Sequence, residues 1–244
     1  MKPIKIVFKT VSTVFLALAL ILPASAGGVF LDPSKDGGTD YRDRLLFLGE
    51  STTAHLRSRG VLAGGTSTDR VLAPKSGTMM LNRRILSSRV IEPQSGKEMT
   101  IPEAVALRRP EILVLSFGLN GILGFVSQKN AYVEPYRALI REVRQASPET
   151  VIVLQTVYPV AENPTEWKFS QKPAEINRAI ETVNAWLPEI AASENVFIAD
   201  TASVLRDANG YLRADFSSDG IHLTRAGYEA VLFYLQTHQV EVAE

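Results

Sequence analysis

The chain holds only three histidines, and one of them, His222, stands three residues after Asp219. An Asp-x-x-His turn can set a carboxylate against Nδ1 of the ring and leave Nε2 facing a second group. Ser51, in the turn Gly49-Glu50-Ser51, is the candidate for that group. A serine hydroxyl is a poor nucleophile until a base takes its proton, and a carboxylate commonly orients the base. The order Ser…Asp…His is one of several that reach this geometry. The same spacing also suits an aspartate capping the helix after Thr224, beside a surface histidine. His55 lies four residues beyond Ser51, about one helical turn on, and reads as a packing or surface histidine. His238 reads as a solvated side chain of the C-terminal tail. Acyl transfer also needs donors for the developing oxyanion. The Ser51 amide, the Gly77 amide and the Asn120 side chain are the candidates, although Gly77 and Asn120 are also ordinary turn formers.

The elements that must position these residues are legible as an alternation. Apolar runs at Arg44 to Gly49, Val71-Leu72-Ala73, Ile112 to Phe117, Val151 to Leu154 and Val196 to Ala199 read as buried strands. Helical spacing appears at Tyr132, Tyr136, Leu139, Ile140 and Val143, and again from Ile176 through Ile180, Val183 and Leu187 to Ile190. A shorter helix is expected over Pro102 to Leu107, and a last one, capped by Thr224, should bury Tyr228, Val231, Leu232 and Leu235. Strands alternating with amphipathic helices imply a parallel sheet with right-handed crossovers, hence a three-layer α/β/α sandwich of about five strands. Ligands of such sheets bind beyond the carboxyl ends of the strands. Ser51, Ser76-Gly77 and Gly118-Leu119-Asn120 follow strands directly, and the Asp219 loop lies between the last strand and the last helix.

Composition narrows the function classes. Hydrophobic residues make up 45% and charged residues 21%, as in ordinary globular domains. Cysteine is absent, which excludes a disulfide framework, a thiolate metal site and a cysteine nucleophile. Lys2, Lys5 and Lys9 precede an apolar stretch, Val11 to Leu22, then Pro23 and Ala24-Ser25-Ala26. This is the pattern of a secretory signal over 1–26, cut after Ala26; a retained anchor is the alternative, though the run is short of the ~20 residues of a span. The expected location is secreted, periplasmic or on the cell envelope, with no membrane span once the signal is removed. Residues 27–42 read as a linker and 43–240 as one domain. Basic runs are missing, which argues against a nucleic-acid partner. The sequence shows no sign of a metal or organic cofactor, and it leaves oligomeric state open.

Phe47-Leu48-Gly49-Glu50-Ser51, Gly77, Gly118-Leu119-Asn120 and Asp219-Gly220-Ile221-His222-Leu223 resemble, in order, the four blocks of the SGNH (GDSL-type) hydrolases. The resemblance spans residues 45–230. It implies a flavodoxin-like α/β fold without metal, and esterase, lipase, thioesterase or polysaccharide deacetylase activity. It implies Ser51 as nucleophile and first oxyanion donor, Gly77 and Asn120 as the other donors, His222 as base and Asp219 as its orienting carboxylate. Two positions depart from the family pattern: Glu50 replaces the usual aspartate, and Gly121 the usual acid after the Gly-x-Asn block. The irregular stretch Tyr158 to Gln171 follows a strand, so Tyr158 and Trp167 are candidate substrate contacts or, alternatively, cover for the next helix. The expected substrate is a small-molecule or glycan acyl ester, with deacetylation of an extracellular or envelope glycan ahead of lysophospholipid or thioester cleavage. Acyl transfer to a sugar and a non-catalytic glycan-binding module remain as alternatives.

Overall fold

The computed structural model describes residues 29–242. The expected signal over 1–26 lies outside the described residues. Five parallel strands form the central sheet in the order β2-β1-β5-β6-β7, with β1 at Leu45–Gly49, β2 at Val71–Leu72, β5 at Ile112–Ser116, β6 at Val151–Gln155 and β7 at Phe197–Ala199. A separate antiparallel pair, β3 (Arg89–Ile91) and β4 (Glu98–Thr100), joins the sheet region through a bridge from Ile91 to Ala73.

The central strands are apolar throughout because both faces of the sheet are covered. Register and side-chain alternation sort them into two cores. Leu46 pairs with Leu113 and Leu113 with Ile152, and all three face one side. Their neighbours Leu45, Ile112 and Val151 face the other. The first side is covered by α3 (Ile101–Arg108), α4 (Ile122–Ser127), α5 (Asn130–Ala146), α6 (Pro173–Asn184) and α7 (Leu187–Glu194). The second is covered by α1 (Gly38–Arg42), α2 (Ser51–Ser58) and α8 (Arg225–Gln236). This is the expected three-layer sandwich. Tyr228, Val231, Leu232 and Leu235 of α8 are buried as their spacing predicts, each large apolar side chain contributing roughly 1.5–3 kcal/mol. Thr224 caps α8 by accepting from the Gly227 amide, and Thr100 with Glu103 forms a reciprocal cap on α3.

Two expectations are corrected. The helical spacing from Ile176 to Ile190 belongs to two helices, α6 and α7, because Pro188 has no N–H to donate to the Asn184 carbonyl and opens a new helix instead. Residues 29–42, read as linker, are part of the fold. The Ile198 amide donates to the Val29 carbonyl at 2.7 Å, and the Leu31 amide donates to the Ile198 carbonyl at 2.8 Å, which pairs the open edge of β7. Leu31 and Tyr41 are buried, and the Tyr41 hydroxyl accepts from the Val240 amide at 3.1 Å. An unpaired sheet edge and two large apolar side chains outweigh the loop-like composition of this stretch.

Candidate active site

β1 ends at Gly49, and the chain turns directly into α2, placing Ser51 in its first turn beyond the carboxyl edge of the sheet. His222 reaches it from the loop before α8, and its Nε2 lies 2.9 Å from Ser51 Oγ. On the other side of the ring, Nδ1 lies 2.6 Å from Asp219 Oδ2. Asp219 Oδ1 accepts from the amides of Ile221 at 2.8 Å and His222 at 2.7 Å, so the carboxylate is locked in its own loop. Burial pushes the Asp219 carboxyl up, but the hydrogen bonds from the His222 ring and these two amides hold it below its usual range. An ionised Asp219 fixes the proton on Nδ1 and leaves Nε2 free to accept from the Ser51 hydroxyl.

The Asp219 loop is buttressed by the irregular segment after β6. Gly220 O accepts from the Ala161 amide at 2.9 Å, and Asp219 O accepts from the Glu166 amide at 3.0 Å. A Cβ on Gly220 would come within 2.2 Å of Pro164 Cβ, so only glycine permits this approach. α8 is tied to α2 as well, since the Tyr228 hydroxyl donates to the Thr52 carbonyl at 2.6 Å.

Glu50, singled out in the sequence as a departure from the family pattern, proves to be the anchor of the loop after β5. Its carboxylate is 3% exposed and accepts from the amides of Gly118 at 3.0 Å, Leu119 at 3.1 Å and Asn120 at 3.1 and 3.2 Å. Burial pushes this carboxyl up to about 7, while the three amides pull it back toward the ionised form. The chain from Gly118 to Asn120 is thus wrapped around one carboxylate. Gly121 continues that loop at φ 88° as the residue before α4, a conformation costly to any residue with a side chain. A Cβ there would also meet Met80 Sδ at 2.9 Å. The two departures from the family pattern therefore each have a local physical reason.

The predicted oxyanion donors differ in what they do. The Ser51 amide has no acceptor among the described residues. Asn120 Nδ2 donates to the Met79 carbonyl at 2.9 Å and the Thr78 hydroxyl at 3.1 Å. The Gly77 amide is committed to the Pro74 carbonyl at 2.9 Å, closing a turn. Gly77 therefore lines the site, but its N–H is not directed into it.

An open cleft of roughly 720 Å³ runs over Ser51 and His222, between the loop bearing Ser76 and Gly77 and the segment bearing Phe169. Tyr158 does not line it: the ring is buried in the core on the α2 and α8 side, with its hydroxyl against Gln155 and Thr201. Trp167 packs against Phe169 and donates its indole N–H to the Gln171 carbonyl at 2.8 Å, so it braces the segment. Lys168 and Phe169 are the residues of this segment that reach the cleft. His55 does reach the site, its ring centroid 4.3 Å from that of His222, and its Nδ1 is buried without a hydrogen-bond partner among the described residues. The spacing of one helical turn from Ser51 was the available signal. His238 stacks on Tyr234 at 3.8 Å, away from the site.

Comparison with known proteins bears on the fold and the family. Similar folds include a Streptococcus pneumonia protein provisionally described as a platelet activating factor (TM-score 0.56, 23% identity, 79% of this chain and 82% of that one). A Slackia heliotrinireducens protein assigned to the SGNH hydrolases is another (TM-score 0.54, 19% identity, 80% and 97%). A third is a family 3 carbohydrate esterase of Clostridium thermocellum (TM-score 0.50, 17% identity, 78% and 91%). No curated protein matches the chain significantly. The family model for GDSL-like lipases and acylhydrolases matches residues 47–230, which takes in Ser51, Asn120, Asp219 and His222. The chain belongs to the GDSL-like lipase/acylhydrolase family and is an ester-bond hydrolase of the SGNH type.

Proposed function

We propose that Ser51 is the nucleophile of a serine esterase that removes a small acyl group, such as acetyl, from an extracellular or envelope glycan. The observation that carries this reading is the continuous relay Ser51 Oγ–His222 Nε2 and His222 Nδ1–Asp219 at the floor of an open cleft. As Ser51 Oγ attacks the acyl carbon, its proton passes to His222 Nε2, and Asp219 stabilises the imidazolium that forms. The oxyanion takes the free Ser51 amide and one N–H of Asn120, which gives up its bond to the Thr78 hydroxyl. His222 then protonates the leaving alcohol, and the C–O bond breaks to leave an acyl group on Ser51. Water, deprotonated by His222, attacks that acyl group; the proton returns to Ser51 and the acid departs.

Two features support the substrate choice. The cleft is open, and polar side chains such as Ser58, Thr66, Ser76 and Thr78 alternate along it with apolar ones such as Leu119, Phe169 and Ile221, a mixed lining that suits the hydroxyls and ring faces of a saccharide. The lysines, apolar stretch and Ala24-Ser25-Ala26 at the start of the sequence support export, where acylated glycans are met.

Labelling with a fluorophosphonate tests the nucleophile: wild type should react and Ser51→Ala should not. Equal labelling of the two would overturn the assignment. His222→Ala should lose nearly all turnover, at least about 10³-fold. His55→Ala should keep most of it, because His55 packs on the base and makes no side-chain hydrogen bond to Ser51. Acetate release from acetylated polysaccharide should exceed cleavage of long-chain acyl esters; a preference for long chains would move the assignment to lipid acylhydrolysis. Formation of acylated sugar with an added acceptor would make the enzyme a transferase.

A further inference from the structure

The cleft over Ser51 has a sign of charge that the rest of the chain does not. Beyond residue 26 the sequence has 23 basic and 26 acidic residues, yet Arg57, Lys75 and Lys168 all line this cleft and no aspartate or glutamate does. The cations come from three separate places: Arg57 from α2, Lys75 from the loop after β2 and Lys168 from the segment after β6. Neither lysine has a carboxylate within 4.0 Å among the described residues, whereas Arg213, Arg225 and Arg141 on the surface each find one. Arg57 donates one Nη to the Val71 carbonyl, and its buried Nε has no partner among the described residues. Asp219 keeps its negative charge, but it sits behind His222, with its oxygens bonded to His222 and Ile221, and does not itself line the cleft.

The same field is felt by His55, which also lines the cleft. Burial lowers its basicity first and the nearby charges of His222 and Arg59 lower it further; Asp219 pulls the other way, and Lys168 adds the smallest lowering. A cleft walled by one sign of charge concentrates ligands of the other. An acetyl group carries no charge, so the anion must sit on the alcohol portion of the ester.

We infer that the cleft selects acyl esters of an anionic saccharide, whose carboxylate, sulfate or phosphate is held between Lys75 and Lys168 with Arg57 behind them. This rests on the esterase reading for its chemistry but on separate residues for its selectivity. Lysines are point charges on flexible stems and do not demand the planar geometry of one anion. A hexuronate carboxylate and a sugar phosphate are therefore both candidates, and the test separates them.

Monoacetylated methyl glucoside, methyl glucuronate and methyl glucoside 6-phosphate are to be compared as substrates of the wild-type enzyme at low ionic strength. At least one charged ester should have kcat/KM roughly tenfold above the neutral one, the scale of two partly screened ion pairs. In about 0.5 M sodium chloride the advantage should shrink to roughly twofold, as the screening length falls to a few ångströms. Lys75→Glu with Lys168→Glu should abolish or reverse the charged-to-neutral ratio, while Lys97→Glu, on the β3–β4 turn, should leave that ratio as in wild type. A second readout needs no turnover: Ser51→Ala should bind the preferred one of the two charged esters more tightly than monoacetylated methyl glucoside in the same low-salt buffer. Equal rates on neutral and charged esters, equal binding, or a preference that survives the double charge reversal would overturn the inference and leave the esterase standing. Anion-selective binding by an enzyme that neither reacts with fluorophosphonate nor releases acetate would do the opposite, sustaining the inference and ending the esterase reading.

Discussion

Two loops border Ser51, and they are held by opposite means. The loop after β5 is built from outside itself. Glu50 gathers the amides of Gly118, Leu119 and Asn120, and the Tyr132 hydroxyl donates to the Phe117 carbonyl at 3.1 Å. The loop after β2 is held mainly from within. Gly77 bonds to Pro74, Ser76 Oγ donates to the Thr78 carbonyl at 2.9 Å, and both Lys75 and Ser76 are exposed. The difference follows the division of labour proposed above: the side chain that meets the oxyanion sits on the loop fixed by a buried carboxylate, and a charge that would meet the saccharide sits on the loop free to adapt. Donors aimed at a developing charge act best when they need no rearrangement, whereas long-range attraction tolerates it.

The sharpest way to break this contrast is Glu50→Gln. The new amide would turn its own N–H toward backbone N–H groups, and hydrogen bonds to a charged group are worth about 1.5–3 kcal/mol each. We expect kcat/KM to fall roughly 10²–10³-fold with a lowered thermal midpoint; unchanged kinetics would mean that the Asn120 loop stands without the carboxylate. Glu50→Asp should recover part of the rate by restoring the charge at shorter reach.

The second effect is on stability against pH. Glu50 has a folded pKa of about 7, above its ordinary value of 4.5. The folded chain therefore holds this proton where the unfolded chain has released it. That contribution is fully present below about pH 4.5 and is lost as pH rises through 7, a swing of roughly 3 kcal/mol. Denaturant titrations of wild type and Glu50→Gln across pH 5 to 8 should show the wild type losing ground with rising pH relative to the variant. Parallel curves would show that Glu50 is ionised throughout.

The smallest effects should separate the two loops directly. Gly121→Ala meets both a positive φ and Met80, so it should cost about 1–2 kcal/mol of stability. Ser76→Ala, on the self-held loop, should stay within about 0.5 kcal/mol by the same melts. Equal costs would erase the distinction between the loops.

Much of this architecture is legible in the residue order. Short apolar runs such as Ile112 to Leu115, bounded by Pro110 and Gly118, read as strands buried on both faces, and the sheet then brings Ser51, Asn120 and His222 to one edge. What stays hidden is direction and partnership. Tyr158 and Trp167 both lie just past β6, and nothing in their order tells which side of the sheet each ring enters. Gly77 lies in the right loop, but whether its amide faces the site or Pro74 depends on one turn. His55 reads as ordinary because its neighbour, His222, is 167 residues away in sequence. Glu50 reads as a small departure because its ligands, three backbone amides, have no signature in side-chain identity. The role of 29–42 is set by an unpaired strand edge nearly the whole domain away.

That last contact bears on how the molecule is made. Val29 and Leu31 pair with Ile198, and Tyr41 meets Val240 across a separation of 199 residues. Residues 29–42 thus wait for the last strand and helix before they have a place to go. Bringing such distant segments together is slow, because the entropy of closing the largest loop is lost before any contact is gained. A nascent chain would carry residues 29–42 unpaired until β7 and α8 had been made, and assembly would finish in a late step that ties this segment to them.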